Sequence, residues 1–156
     1  MTDMVKNPKR RTFVARFAAL LALPFAAPRR ARAQSGPVDV LVQKVTGGAP
    51  VQRGRVNLDI PVLAENGNSV SLKVSVDSPM SASDFVKSIH LYAEKNPRPN
   101  IANFYLNPRA GRAQISTRIR LAGTQRVLAV AALSDGSFWS GTADVSVTNS
   151  SCYDGS

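Results

Sequence analysis

Apolar and polar side chains alternate with a period of two through most of this chain, in short runs parted by turn residues, and that pattern confines it to sheet. Successive strand residues point to opposite faces, so Val86 to Glu94 sends Ile89, Leu91 and Ala93 one way and Ser88, His90 and Tyr92 the other. Seven runs can be delimited: Arg55 to Ala64, Ser69 to Val76, Val86 to Glu94, Ile101 to Leu106, Gln114 to Leu121, Gln125 to Leu133 and Phe138 to Thr148. Glu65-Asn66-Gly67-Asn68 separates the first two, and Asn-Gly between alternating runs marks a tight hairpin because both residues tolerate positive φ. Ser134-Asp135-Gly136-Ser137 marks a second hairpin between the last two. Pro61 cannot donate to a ladder, which assigns the first run to an edge or a bulge. Asn96 to Asn100, with Pro97 and Pro99, is a connection.

Seven strands with turns at regular spacing predict an all-β fold, an immunoglobulin-like antiparallel β-sandwich of about seven strands. Ahead of them Val38, Leu41, Val42 and Val45 fit a helical stripe, which predicts a short N-terminal helix ending at Gly47-Gly48. The chain shows no internal repeat and no low-complexity segment.

The first 33 residues read as an export leader. Lys6, Lys9, Arg10, Arg11 and Arg16 make a basic start, Phe17 to Ala27 an apolar run, and Ala31-Arg32-Ala33 a small-residue cleavage site. Adjacent arginines followed by an apolar pair, Arg10-Arg11-Thr12-Phe13-Val14, mark the twin-arginine route, which carries folded proteins. A permanent anchor needs about 20 apolar residues; this run holds 11 and is interrupted by Pro24, so no stable membrane anchor is expected after cleavage. The expected organisation is a leader over 1–33, a domain over 34–148 and a flexible C-terminal tail over 149–156. Of 20 Lys and Arg, 8 precede Gln34, whereas one of 10 acids does, so the formal charge falls from +10 to +3 once the leader is removed. That charge gives no reason to expect a nucleic-acid partner. The remaining 123 residues suffice for one core.

Catalytic readings lack partners. Nucleophilic catalysis by a cysteine needs a base within reach, and His90, the single histidine, sits mid-strand and far in sequence from Cys152. It reads as a solvated strand residue. One Cys, one His and scattered acids supply no convergent metal-ligand set, and no glycine-rich loop opens a helix for a nucleotide, so no cofactor is expected. Arg118 and Arg120 project from one side of their strand, with Arg109, Arg112 and Arg126 nearby in sequence. They form a candidate patch for an anion or an acidic partner, or else a solvated face that discourages edge pairing. Trp139 shares a face with Ala143, Val145 and Val147 and reads as core. Phe138 falls on the opposite face with Ser140, Thr142 and Asp144, a hint of a protein interface.

Cys152 is the only cysteine and lies four residues before the last residue of the sequence as given. Exported proteins ordinarily pair their cysteines, so an unpaired one is joined to another chain or is chemically employed. A residue in a terminal segment is not expected in a core. Its neighbours Asn149, Ser150 and Ser151 are small and polar, whereas Tyr153 adds bulk and Asp154 adds negative charge. Negative charge beside a thiol disfavours the thiolate, which predicts a thiol pKa above the reference of roughly 8.5.

Four segments taken together, Leu63 to Val70, Val74 to Met80, Ile89 to Pro97 and Ser134 to Trp139, resemble the SoxY family, sulfur-carrying subunits of periplasmic thiosulfate-oxidising systems. The resemblance runs over essentially the whole chain beyond the leader and includes the twin-arginine leader itself. It implies an immunoglobulin-type sandwich, a heterodimer with a SoxZ-like subunit, and sulfur intermediates held covalently on a cysteine near the C-terminus, which maps by position onto Cys152. It also implies that c-type cytochrome and hydrolase components load and process the cargo, the carrier not being an enzyme. The tail departs from the family's Gly-Gly-Cys-Gly-Gly: here Ser151-Cys152-Tyr153-Asp154 surrounds the thiol. A second reading follows from that departure, a binding module of the same fold that docks a SoxZ-like or redox partner while Cys152 is unused.

Overall fold

The structure, a computed structural model, describes residues 36–150. The leader and the segment Ser151-Cys152-Tyr153-Asp154 lie outside these residues. One helix, α1 (Pro37–Thr46), precedes nine strands: β1 (Val51–Arg53), β2 (Val56–Asp59), β3 (Leu63–Asn66), β4 (Val70–Val76), β5 (Val86–Ala93), β6 (Asn100–Tyr105), β7 (Gln114–Ile119), β8 (Gln125–Leu133) and β9 (Phe138–Asn149). They form an immunoglobulin-like sandwich. The larger sheet runs in the order β1-β9-β8-β5-β6 with β3 added along β9, and the smaller in the order β2-β4-β7.

The core is the apolar face of each sheet turned toward the other. In β4, Val70, Leu72, Val74 and Val76 are buried while Ser71 and Lys73 face out, the period that sequence alternation predicts. Against them pack Ile89, Leu91 and Ala93 of β5, Val127, Ala129, Ala131 and Leu133 of β8, and Val145 of β9. The outer face of the smaller sheet is polar throughout, with Asp59, Lys73 and Ser116 in one cross-strand row and Ser71 opposite Arg118 in the next.

Nine strands form rather than about seven because the run from Arg55 to Ala64 divides at Pro61. Its first part, β2, pairs with β4 as an antiparallel neighbour, Val56 opposite Val76 through Asp59 opposite Lys73. Proline has no N–H to continue that ladder. The chain then crosses to the other sheet, where β3 runs parallel to β9 with Leu63 opposite Ser146 and Asn66 opposite Asn149. β1, the other additional strand, also lies parallel to β9. The tight hairpin expected at Asn66-Gly67 is therefore a crossover between sheets. Asn66 Oδ1 caps it by accepting from the Asn68 amide at 2.8 Å. The β8–β9 hairpin forms where expected, with Gly136 at φ 84° and Asp135 Oδ1 accepting from the Ser137 amide at 2.8 Å.

α1 occupies the predicted stripe. Pro37 opens it, Asp39 Oδ2 accepts from the Gly36 amide at 2.8 Å, and the chain leaves the helix at Gly47. Val38 is buried, with Leu41 and Val42 partly so, against Tyr92, Val130, Leu128 and Phe138 on the outer face of the larger sheet. The helix thus makes a second, smaller core, and β5 is buried on both faces. Phe138, expected to face outward as a partner contact, packs into this cluster instead. Trp139 packs on the main core as expected, its edge N–H donating to Ser137 Oγ at 3.1 Å and its ring facing the Arg55 guanidinium at 5.4 Å.

Candidate carrier site at the root of the C-terminal tail

β9 ends at Asn149, three residues before Cys152. Its last turns of ladder are gripped from both sides. On one side Ser146 N–H donates to the Val62 carbonyl at 2.8 Å and Gly67 N–H to the Asn149 carbonyl at 2.8 Å, which extends the parallel pairing to the final strand residue. On the other, Thr124 Oγ1 accepts from the Val147 amide at 2.9 Å. Gly67 joins the two sides, because its carbonyl accepts from the Leu121 amide at 2.9 Å. A Cβ at position 67 would collide with the Leu121 carbonyl oxygen and stand 3.1 Å from the Asn149 carbonyl oxygen. The glycine is needed for this close approach of three backbones rather than for a positive φ.

The loop that supplies Leu121 and Thr124 is fixed by a polar pair beneath it. Asn96 donates through Nδ2 to the Arg120 carbonyl at 2.9 Å, and its Oδ1 accepts from the Ala122 amide and from Gln125 Nε2, both at 2.9 Å. Gln125, itself buried, accepts from the Lys95 amide at 2.8 Å. Buried polar groups satisfied in this way hold one geometry, since any other leaves them unpaired. The strand is held up to Asn149, and three residues of chain can extend about 10 Å.

The arginines singled out from the sequence take separate places. Arg118 is exposed on β7 and donates to Ser69 Oγ at 3.1 Å. It lines an open recess of about 470 Å³ on the outer face of the smaller sheet, together with Asp59, Ser71, Lys73 and Ser116. Arg120 is exposed just past the end of β7. Arg126 belongs to the other sheet, where it pairs with Asp144 at 3.1 Å and Glu94 at 4.0 Å. Arg112 lines a different recess beside Asp77 and Gln114.

His90 is not solvated. It is 6% exposed, Nδ1 lies 2.8 Å from Asn103 Oδ1, and Nε2 lies 2.9 Å from Ser88 Oγ. Asn103 Oδ1 also accepts from Asn100 Nδ2 at 3.0 Å, and as an amide oxygen it is the acceptor toward His90 Nδ1. Tyr105 covers the ring edge-on at 6.2 Å. The order serine, histidine, asparagine is that of a nucleophile and its relay, but Ser88 is only 7% exposed and has no room to meet a substrate. The network satisfies buried polar groups. Sequence alternation misses it because Asn103 and Tyr105 of the neighbouring strand β6 lie against the ring.

Among the described residues no group of three or more His, Cys, Asp or Glu is placed to hold a metal ion, and no helix is long and apolar enough to cross a membrane. A family model for the sulfur oxidation protein SoxY matches residues 41–152, a span that ends on Cys152. Among solved structures, the sulfur carrier protein SoxY from Chlorobium limicola f thiosulfatophilum is 26% identical, with a TM-score of 0.61, over 71% of this chain and 96% of that one. Superoxide reductase (neelaredoxin) from Ignicoccus hospitalis is 16% identical, with a TM-score of 0.53, over 60% of this chain and 80% of that one. Superoxide reductase from Nanoarchaeum equitans is 12% identical, with a TM-score of 0.52, over 62% and 100%. The two reductases share the fold alone. No curated relative matches the sequence.

Proposed function

Since this chain belongs to the SoxY family of sulfur oxidation proteins, we propose that it is a periplasmic carrier that holds thiosulfate-derived intermediates covalently on Cys152 and presents them to partner enzymes. The observation that carries the reading is the continuity of the family match through to Cys152, on a strand whose end is gripped from both sides. Loading removes the thiol proton and joins Sγ to the outer sulfur of thiosulfate, an oxidation that releases two electrons, and these are taken one each by two haem equivalents of the partner c-type cytochrome. A hydrolase component then releases the oxidised end. The chain's own task is reach and presentation, and the redox chemistry belongs to the partners' cofactors. A SoxZ-like subunit completes the carrier, and the twin-arginine leader accounts for its export already folded.

Ser151, Tyr153 and Asp154 modulate the thiol in this scheme, with Asp154 holding more of it protonated than a glycine tail would. The altered tail is also what favours the second reading, a docking module in which Cys152 is idle. Replacing Cys152 by Ser separates them. The carrier reading predicts that C152S, in a host whose own carrier is deleted, abolishes thiosulfate-dependent oxygen uptake; uptake at the wild-type rate would leave the docking module as the reading that stands.

A further inference from the structure

Two aliphatic side chains stand in water beside the tail root, where the core has no use for them. Val62 is 77% exposed and Leu63 is 62% exposed, side by side at the outer edge of the larger sheet. They are not loosely held: the Val62 carbonyl accepts from the Ser146 amide at 2.8 Å, and Leu63 lies in register with Ser146, three residues before the end of β9. Val62 also walls a recess of about 440 Å³ whose rim carries Lys95, Thr124, Arg126, Asp144 and Ser146. An apolar pair flanked by a polar, charge-balanced recess has the anatomy of an interface centre with its rim.

Chain length says what covers it. Cys152 is three residues past Asn149, the held end of β9, so its reach from that point is about 10 Å. An enzyme that takes this thiol into a cleft must therefore bring the rim of that cleft against the domain surface around Asn149. The exposed surface there includes the edge strand β3. We propose that Val62 and Leu63 form the docking contact for the enzyme that loads Cys152, an apolar rim meeting an apolar pair, with the edge of β3 that no described strand pairs offering backbone groups alongside. The inference rests on the carrier reading above, and the short tether is what makes a separate docking contact necessary: a sulfur that reaches only this far is delivered by how the two proteins seat.

The test follows thiosulfate-dependent reduction of the purified c-type cytochrome as the mature carrier, with its second subunit, is varied in concentration. The double variant Val62→Asp, Leu63→Asp is expected to raise the half-saturating carrier concentration at least tenfold, with the rate at saturation within twofold and alkylation of Cys152 by iodoacetamide unchanged. If the charged variant fails to fold, judged by circular dichroism, Val62→Ser, Leu63→Ser is measured in its place, with at least a threefold rise expected. A half-saturating concentration within twofold of wild type overturns the docking contact while leaving the carrier intact. A wild-type protein that alkylates at Cys152 yet is never loaded overturns the carrier reading itself, and the docking contact with it.

Discussion

Tyr92 shows how a single side chain departs from what its strand pattern suggests. The alternation assigns it, with Ser88 and His90, to the face away from the sandwich core, yet its side chain is fully buried because α1 lies over it. Its hydroxyl has no partner in hydrogen-bond geometry among the described residues. Burial raises the phenol pKa, and proximity to Asn100 offsets part of that rise. The sign of the consequence is definite. Below the unfolded value of about 10 both states hold the proton and the domain has its full stability; above it the unfolded chain ionises first, so stability falls as pH rises toward the raised folded value. Tyr92→Phe removes an unpaired buried hydroxyl and the ionisation together. It is expected to leave the urea midpoint at pH 7 unchanged or slightly higher, and to flatten the decline between pH 9 and 11, as followed by far-ultraviolet circular dichroism. A variant that loses about 2 kcal/mol at pH 7 would mean that the hydroxyl has a partner after all.

Elements were legible where one physical rule governs them and obscure where two compete. The β8–β9 hairpin follows from alternation and Asp135-Gly136 alone, and α1 from four apolar residues on one helical face. The stretch around Pro61 to Gly67 obeys a rule that local pattern does not carry: after β2 the chain leaves β4, and β3 pairs along β9, between residues some 80 positions apart. Asn66-Gly67 was readable as a turn but not as the point where three backbones meet. That meeting point yields a sharp expectation. Gly67→Ala forces the new methyl into the Leu121 carbonyl, at a cost of about 2–3 kcal/mol in urea denaturation. The strain should be felt at the tail root, as faster amide exchange at Val147 and Asn149. A neutral Gly67→Ala variant would show that the strand end is less tightly held than its hydrogen bonds imply.

Considered whole, the described residues form a two-sheet scaffold whose last strand ends at Asn149, and the proposed carrier residue follows that strand in sequence. Fold class was legible because a two-residue period and regular turns leave few architectures open. Cys152 stood out as the candidate carrier residue because it is the only cysteine in the sequence. What the sequence withheld was burial by what is laid across a strand: Tyr92 and Phe138 pack against the helix and His90 lies under Tyr105, and a single-strand pattern reports neither. The loop holding the tail root was also hidden, since Asn96 and Gln125 are separated in sequence by a proline-rich connection and two strands. The scaffold reading requires sulfur to reside on Cys152 in the cell. Intact-mass analysis of the mature protein recovered from cells grown with and without thiosulfate, before and after reduction, decides it. The expected result is a thiosulfate-dependent mass increase that a reductant removes and that peptide mapping confines to Cys152; an unmodified, freely alkylated Cys152 in thiosulfate-grown cells would contradict it.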